Sequence, residues 1–255
     1  MVLHMSKVLV VGATGATGKH VVQMLLDKNL SVKVICRSKE KLMGLLKKEE
    51  KDYGDRLSVT DTPFFELTDA QLEEQTQDCQ AVVCCLGHTL DVWGIWGPPR
   101  NLVTQFTRRL TTNMPESCKY ILMVSNGVSH PDGTTDPERP LMERIVLTMV
   151  RYMIPPHADN ESAVAFLYEH QDDIEWCVVR PTDYLIDAEE SEYELSESQT
   201  GPLFGYKKAT RANVAHFMVE LVMSNEKWDV YNHKLPILCD KQKPVHTDET
   251  QEETK

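Results

Sequence analysis

The sequence predicts an α/β protein built on a single doubly wound, Rossmann-type parallel sheet with a small C-terminal region on the substrate side. Three observations carry this expectation. Apolar, β-branched runs alternate with amphipathic helical runs along nearly the whole chain. The runs QAVVCCLG (80–87) and KYILMVSNG (119–127) are continuously apolar and bounded by glycine, as strands buried on both faces read. Three glycines spaced by three, in VVGATGATGKHVV, join the first strand to the first helix. At 255 residues the chain suffices for one large domain with a full core, and no break in composition divides residues 1–240.

Each element can be justified in turn. Val8–Val11 is a short apolar strand, and Val21, Val22, Leu25 and Leu26 then share one helical face. Ser31–Arg37 is rich in β-branched residues, and Ser38 can cap the charged helical run that follows to residue 50. A third strand lies between Leu57 and Phe65, interrupted by Pro63, and a Thr68/Asp69 cap opens the helix behind it. Asn101–Thr112 is the crossover helix between the fourth and fifth strands. Glu161–His170 leads as a helix into the strand Trp176–Pro181, and Ala212–Met223 is a last amphipathic helix before Val230–Leu238. From Lys241 the chain is polar, charged and nearly without apolar residues, so residues 241–255 are expected to be a disordered acidic tail.

The glycine loop points to a nucleotide. Bare backbone N–H groups at a helix N-terminus face a pyrophosphate, with Gly12 for the tight turn, Gly15 for close phosphate approach and Gly18 for helix–strand packing. An NAD-selective site would place a carboxylate at the end of the second strand to accept from the ribose 2′-hydroxyl. Here that position reads Arg37-Ser38, with Lys39 and Lys41 behind, which suits the 2′-phosphate of NADPH.

Charge and composition narrow the partners. With 39 acidic and 27 basic side chains the net charge is −12, which argues against nucleic acid and anionic membranes and for small-molecule or protein partners, a small-molecule substrate among them. No apolar run approaches the roughly 20 residues a membrane span needs, and the first residues lack signal-peptide character, so a cytoplasmic protein is expected. None of the seven cysteines forms a CxxC pair, and the nine histidines form no HxH or HExxH arrangement. The cysteines are expected to be small buried hydrophobes, and no metal site is expected.

VVGATGATGKHVV, the CRS after the second strand, AVVCCLG, LMVSNGVS and WCVVRPTDYL, in this order, resemble the atypical short-chain dehydrogenase/reductases with NAD(P)-binding, NmrA-like domains. The resemblance spans roughly Lys7 to Leu238, and within the family it is strongest to the biliverdin-IXβ reductase/flavin reductase type. It implies that Gly12, Thr14, Gly15, Ala16, Thr17 and Gly18 line the pyrophosphate and that Arg37 and Ser38 meet the adenosine phosphate. It further implies Leu86 and Gly87 along the cofactor, Ser125 near nicotinamide and substrate, and Pro181 and Thr182 over the nicotinamide end. The family's adenine-contacting aspartate after the third strand is missing, leaving Glu66 or Asp69 to serve.

A second departure is catalytic. Short-chain dehydrogenases use Tyr-x-x-x-Lys, whose lysine tunes the tyrosine as proton donor, yet none of the eight tyrosines here has lysine four positions on. In the matching region stand His157, Asp159, Asn160 and Glu161. Two readings stay open. One is an NADPH-dependent reductase whose aromatic acceptor (a flavin, quinone or tetrapyrrole) needs little proton donation, with Ser125 and His157 as candidate catalytic groups. The other is a non-catalytic NmrA-like sensor of NADP(H) acting through a protein partner. Trp93 and Trp96 sit in a loop beyond the fourth strand, as an aromatic wall for substrate or as loop anchors. The amphipathic run from Arg139 to Pro156 is expected to pack on the sheet, with a homodimer or membrane-surface contact as its other use.

Overall fold

The computed structural model describes residues 7–47, 50–88, 91–136, 140–182, 184–198 and 207–241. The expected tail, apart from Lys241, lies outside these residues.

In chain order the strands are β1 (Lys7–Val11), β2 (Ser31–Cys36), β3 (Leu57–Asp61), β4 (Cys79–Cys84), β5 (Lys119–Met123), β6 (Trp176–Pro181), β7 (Tyr184–Ile186), β8 (Tyr193–Ser196), β9 (Lys208–Thr210) and β10 (Ile237–Asp240). The helices are α1 (Gly18–Asp27), α2 (Lys39–Met43), α3 (Glu50–Tyr53), α4 (Asp69–Thr76), α5 (Val92–Trp96), α6 (Leu102–Thr112), α7 (Leu141–Met153), α8 (Pro155–Glu169), α9 (Arg211–Met223) and α10 (Asn225–Tyr231). Eight strands form one sheet in the order β3-β2-β1-β4-β5-β6-β10-β8, parallel except for β8 against β10. The order reverses between β1 and β4, the switch point at which open α/β sheets bind ligands.

Alternation along β1 divides the core. Val8 and Val10 pack with α1 and α9 on one face, while Leu9 and Val11 join Phe106, Leu110, Val164 and Leu167 on the other. Local chemistry sets the ends. Ser38 Oγ accepts from the Lys41 backbone N–H, and Thr68 and Gln71 form a reciprocal capping box. The third strand stops at Asp61, before Pro63, which has no N–H to give a ladder.

The structure corrects three expectations. The charged run after Ser38 makes only the short α2, and α8 begins at Pro155, six residues before the expected start, because proline is well suited to a first helical turn. Helix α7 does not pack on the sheet: it has no buried residue and lies against α8, leaving Leu141, Met142, Met149, Tyr152 and Met153 exposed. The small pair β7–β9 and the antiparallel β8 carry too little periodicity to be read from sequence.

One buried charge organises the β2 edge. Lys33, inside an otherwise apolar strand, donates to the carbonyls of Glu74 and Gln75 at the end of α4 (3.1 Å each) and to Asp78 Oδ1 (2.5 Å), while Lys7 Nζ reaches Asp78 Oδ2 at 2.7 Å. Partial burial alone would push the Asp78 carboxyl up, but the two ammonium groups prevail and hold it below the usual range. A depressed carboxylate contributes stability above its unfolded pKa and loses it as pH falls through the folded one. Asp78→Asn should therefore cost about 1–3 kcal/mol at neutral pH and flatten the decline in Tm below about pH 4, measured by thermal melts across that range; equal slopes in both proteins would contradict the assignment.

Candidate cofactor cavity and active site

The loop from β1 to α1 is a cradle that side chains would fill. Gly12 has φ +79°, and a β-carbon on it would stand 2.6 Å from the carbonyl carbon of Cys85. A β-carbon on Gly18 would overlap the Gly12 carbonyl oxygen, and one on Gly15 would come within 3.0 Å of the same atom. The turn is closed by the Gly15 N–H donating to the Gly12 carbonyl at 2.9 Å. The first amides of α1 are engaged within the turn, Lys19 with the Gly15 carbonyl (3.2 Å) and His20 and Val21 with that of Thr17 (3.0 and 3.2 Å), so the fit to a pyrophosphate rests on the side-chain-free glycine turn itself.

A cavity of about 390 Å³ runs from this loop across the carboxyl ends of β2 and β4. Of the residues anticipated from sequence, Gly12, Thr14, Arg37, Leu86 and Gly87 line it. Gly15, Ala16, Thr17 and Gly18 form the loop behind the wall; Thr17 is buried, and its side chain makes no cap. Arg37 is exposed at the rim, and among the described residues its guanidinium has no carboxylate partner. Ser38 lies beside it outside the lining, with its hydroxyl used as the α2 cap.

Glu66 and Asp69, expected from sequence to serve at the adenine, stand apart from the cavity lining. Asp69 turns to Arg109, accepting from Nε at 3.1 Å and Nη2 at 2.7 Å, and neither acidic residue lines the cavity. Pro63, Phe64 and Phe65 do. Phe64 stacks on Phe106 (3.7 Å between centroids), and the half-exposed Phe65 stands edge-on to both rings. Aromatic residues in a short turn give no periodic signal, which is why this wall was missed.

At the other end a buried hydrogen bond between His88 and Asp159 fixes the loop after β4. His88 Nε2 meets Asp159 Oδ2 at 2.8 Å and its Nδ1 meets the Gly94 carbonyl at 3.0 Å. The wholly buried Asp159 also accepts from the backbone N–H groups of Val103 and Thr104 (2.7 and 3.0 Å) and from Thr104 Oγ1 (2.7 Å), so α8 supplies the cap that α6 lacks from its own Asn101. Trp96 Nε1 donates to the Met153 carbonyl at 3.1 Å and anchors the loop on α7. Trp93 lines the cavity mouth with 81% of its surface exposed. The two tryptophans thus divide the expected roles: one anchors, the other is free for a ligand.

Ser125 just after β5, His157 on α8 and Pro181 at the end of β6 lie outside this cavity. The Asn126 N–H donates to the Pro181 carbonyl at 3.2 Å, so the Ser125 turn and the end of β6 are adjacent. Thr182 Oγ1 is buried with no hydrogen-bond partner among the described residues. His157 is buried in the first turn of α8, and Glu161, one turn on, takes a two-pronged contact from Arg151 (2.6 and 2.7 Å). All seven cysteines are buried and free; burial pushes the Cys79 thiol up to about 11 and that of Cys118 to about 12, so neither offers a thiolate. Among the described residues no cluster could hold a metal, and no helix is long and apolar enough to cross a membrane.

Comparison with known proteins agrees with the cradle. A family model described as NAD(P)H-binding matches residues 12–225. A chloroplastic, uncharacterised protein of Arabidopsis thaliana is 36% identical over 92 residues, which cover 35% of this chain and only 31% of that protein. Among solved structures, a candidate NADH-flavin reductase of Streptococcus pneumoniae TIGR4 superposes with a TM-score of 0.64 at 20% identity, covering 92% of this chain and all (100%) of that one. An anaerobilin reductase of Escherichia coli O157:H7 gives a TM-score of 0.64 at 15% identity, with coverage of 94% and 100%. An oxidoreductase of Lactococcus lactis gives 0.60 at 14% identity, with coverage of 92% and 91%. The structures agree in fold, and the sequence model reaches from the glycine turn to α10: the chain belongs to the NAD(P)H-binding domain family.

Proposed function

We propose that this protein is an NADPH-dependent reductase that passes hydride to a flat aromatic acceptor such as a flavin, a quinone or a tetrapyrrole. The observation that carries the reading is one cavity with a guanidinium that has no carboxylate partner among the described residues at one end and an exposed tryptophan at the other. In this reading Gly12, Thr14, Gly15, Ala16, Thr17 and Gly18 hold the pyrophosphate, and Arg37 with Ser38 takes the 2′-phosphate. Leu86 and Gly87 run along the cofactor, and Ser125, Pro181 and Thr182 border its nicotinamide end, where Ser125 and His157 are the candidate catalytic groups. When bound, the nicotinamide supplies the hydride. Phe64 and Phe65 exclude water at the adenine end, and Trp93 gives the acceptor a face to stack on. The names of the flavin and anaerobilin reductases of similar fold point to the same acceptor class. Seven buried free thiols suit a reducing, cytoplasmic setting.

The exposed apolar residues of α7 favour a second reading, a sensor of the NADPH/NADP⁺ balance that docks a protein partner or a second copy there.

Arg37→Asp should weaken NADPH binding at least tenfold relative to NADH, a charge-assisted contact contributing about 1.5–3 kcal/mol, as read by nicotinamide fluorescence titration; an unchanged ratio would refute the phosphate assignment. NADPH oxidation followed by absorbance, with a flavin, a quinone and biliverdin offered in turn, should give acceptor-dependent turnover that falls in Ser125→Ala. Tight NADPH binding without turnover on any of them would turn the reading to the sensor.

A further inference from the structure

The proton donor is the missing part of a reductase without Tyr-x-x-x-Lys, and the residues beyond β5 supply a replacement at the same helical spacing. His157 and Glu161 are four residues apart on α8, with His157 Nε2 facing Glu161 Oε1 at 3.4 Å. The other side of the ring looks toward Ser125. A β-carbon on Gly127 would stand 3.2 Å from His157 Cε1, 3.6 Å from His157 Nδ1 and 3.4 Å from Ser125 Oγ. The absence of a side chain at 127 therefore leaves open the space between hydroxyl and imidazole.

Burial supports a functional role. His157 is 8% exposed, and its Nε2, without a hydrogen-bond partner among the described residues, has the Glu161 carboxylate 3.4 Å away, so among them the ring's one charged neighbour is Glu161 rather than a structural cap. His88, by contrast, has both nitrogens engaged. Glu161 is held in place from the far side by Arg151, which reaches it from α7 with Nε at 2.6 Å and Nη2 at 2.7 Å. Burial alone would push the Glu161 carboxyl up, but the imidazole and the guanidinium hold it down at about 2, so it is a carboxylate at any working pH.

We propose that Ser125 and His157 form a proton relay to the substrate, with Glu161, steadied by Arg151, as the positioning residue that orients the ring and balances its charge. This rests on the reductase reading above. As the acceptor gains hydride from the reduced nicotinamide dinucleotide, Ser125 gives its hydroxyl proton to the acceptor's heteroatom and takes one from His157 Nδ1. An O–H bond breaks and re-forms on serine, an N–H bond breaks on the imidazolium, and the neutral ring left behind keeps its Nε2 proton toward Glu161. Solvent returns the lost proton, so each turnover consumes one reduced dinucleotide, one proton and one acceptor.

The test separates the relay from the cofactor reading. The ring signals of His157 are recorded by ¹⁵N-histidine NMR on the full chain without added nucleotide, in wild type, Ser125→Ala, Gly127→Ala and Glu161→Gln. Each variant should move them, Glu161→Gln by changing the tautomer balance and the other two by altering the environment of Nδ1. Unmoved His157 signals in Ser125→Ala would overturn the relay whatever the cofactor proves to be. In steady-state kinetics with the best acceptor, His157→Gln should lower kcat about a hundredfold and Glu161→Gln about tenfold, with KM for NADPH within about twofold of wild type. A kcat in His157→Gln within about twofold of wild type would also overturn it. Arg151→Gln, on an exposed helix, provides a milder variant that leaves the core untouched and should give a smaller loss of the same kind. Failure of wild type to bind NADPH would sink the cofactor reading, and the NMR comparison would still decide the Ser125–His157 contact.

Discussion

Three backbones meet where β1 ends, and the closeness of that meeting governs the rest. Gly12 lies against the backbone of Cys85 and Leu86 on one side, and its own carbonyl lies against Gly18 on the other. No residue with a side chain fits at either place without moving β4 or α1. The same compression that lets α1 pack on the sheet keeps the turn free of side chains, so the cradle is a by-product of close packing rather than a separate device. The strand order reverses between β1 and β4 at this point, and the cavity lies at the carboxyl ends of the strands there.

Buried polar keystones hold the elements around the sheet together. Lys33 and Asp78 tie α4 to β2 at the amino ends of the strands, and Asp159 ties α6, α8 and the loop after β4 together at the carboxyl ends. Each satisfies several partners at once, which is the condition under which a buried charge can be kept. Arg180 does the same behind β6, where its guanidinium, wholly buried, meets Asp136 and the carbonyls of Val128 and Leu235. Arg37 differs from these three: it alone faces the cavity rim with its charge unanswered among the described residues.

How much of this was legible in the sequence depended on the range of the interaction. The parallel strands, the glycine turn and the Ser38 and Thr68 caps are local patterns of spacing and residue type, and they read correctly. The Phe64–Phe65–Phe106 wall, the capping of α6 by Asp159 and the anchoring of Trp96 on Met153 join residues far apart in the chain, and no periodicity announces them. Helix α7 was misjudged for the opposite reason. Its apolar spacing is strong, but spacing alone does not say whether the stripe meets the protein's own core, and here it does not.

The carboxylate of Asp159 has a consequence for how this protein can be altered. Because it holds His88 and the first turn of α6 from a residue on α8, the segment bearing Trp93 is not a module. Grafting that segment onto a related scaffold would carry over the aromatic face without its anchor. An engineer would have to move the start of α8 along with it, so the natural unit of exchange is a pair of segments some sixty residues apart rather than a single loop.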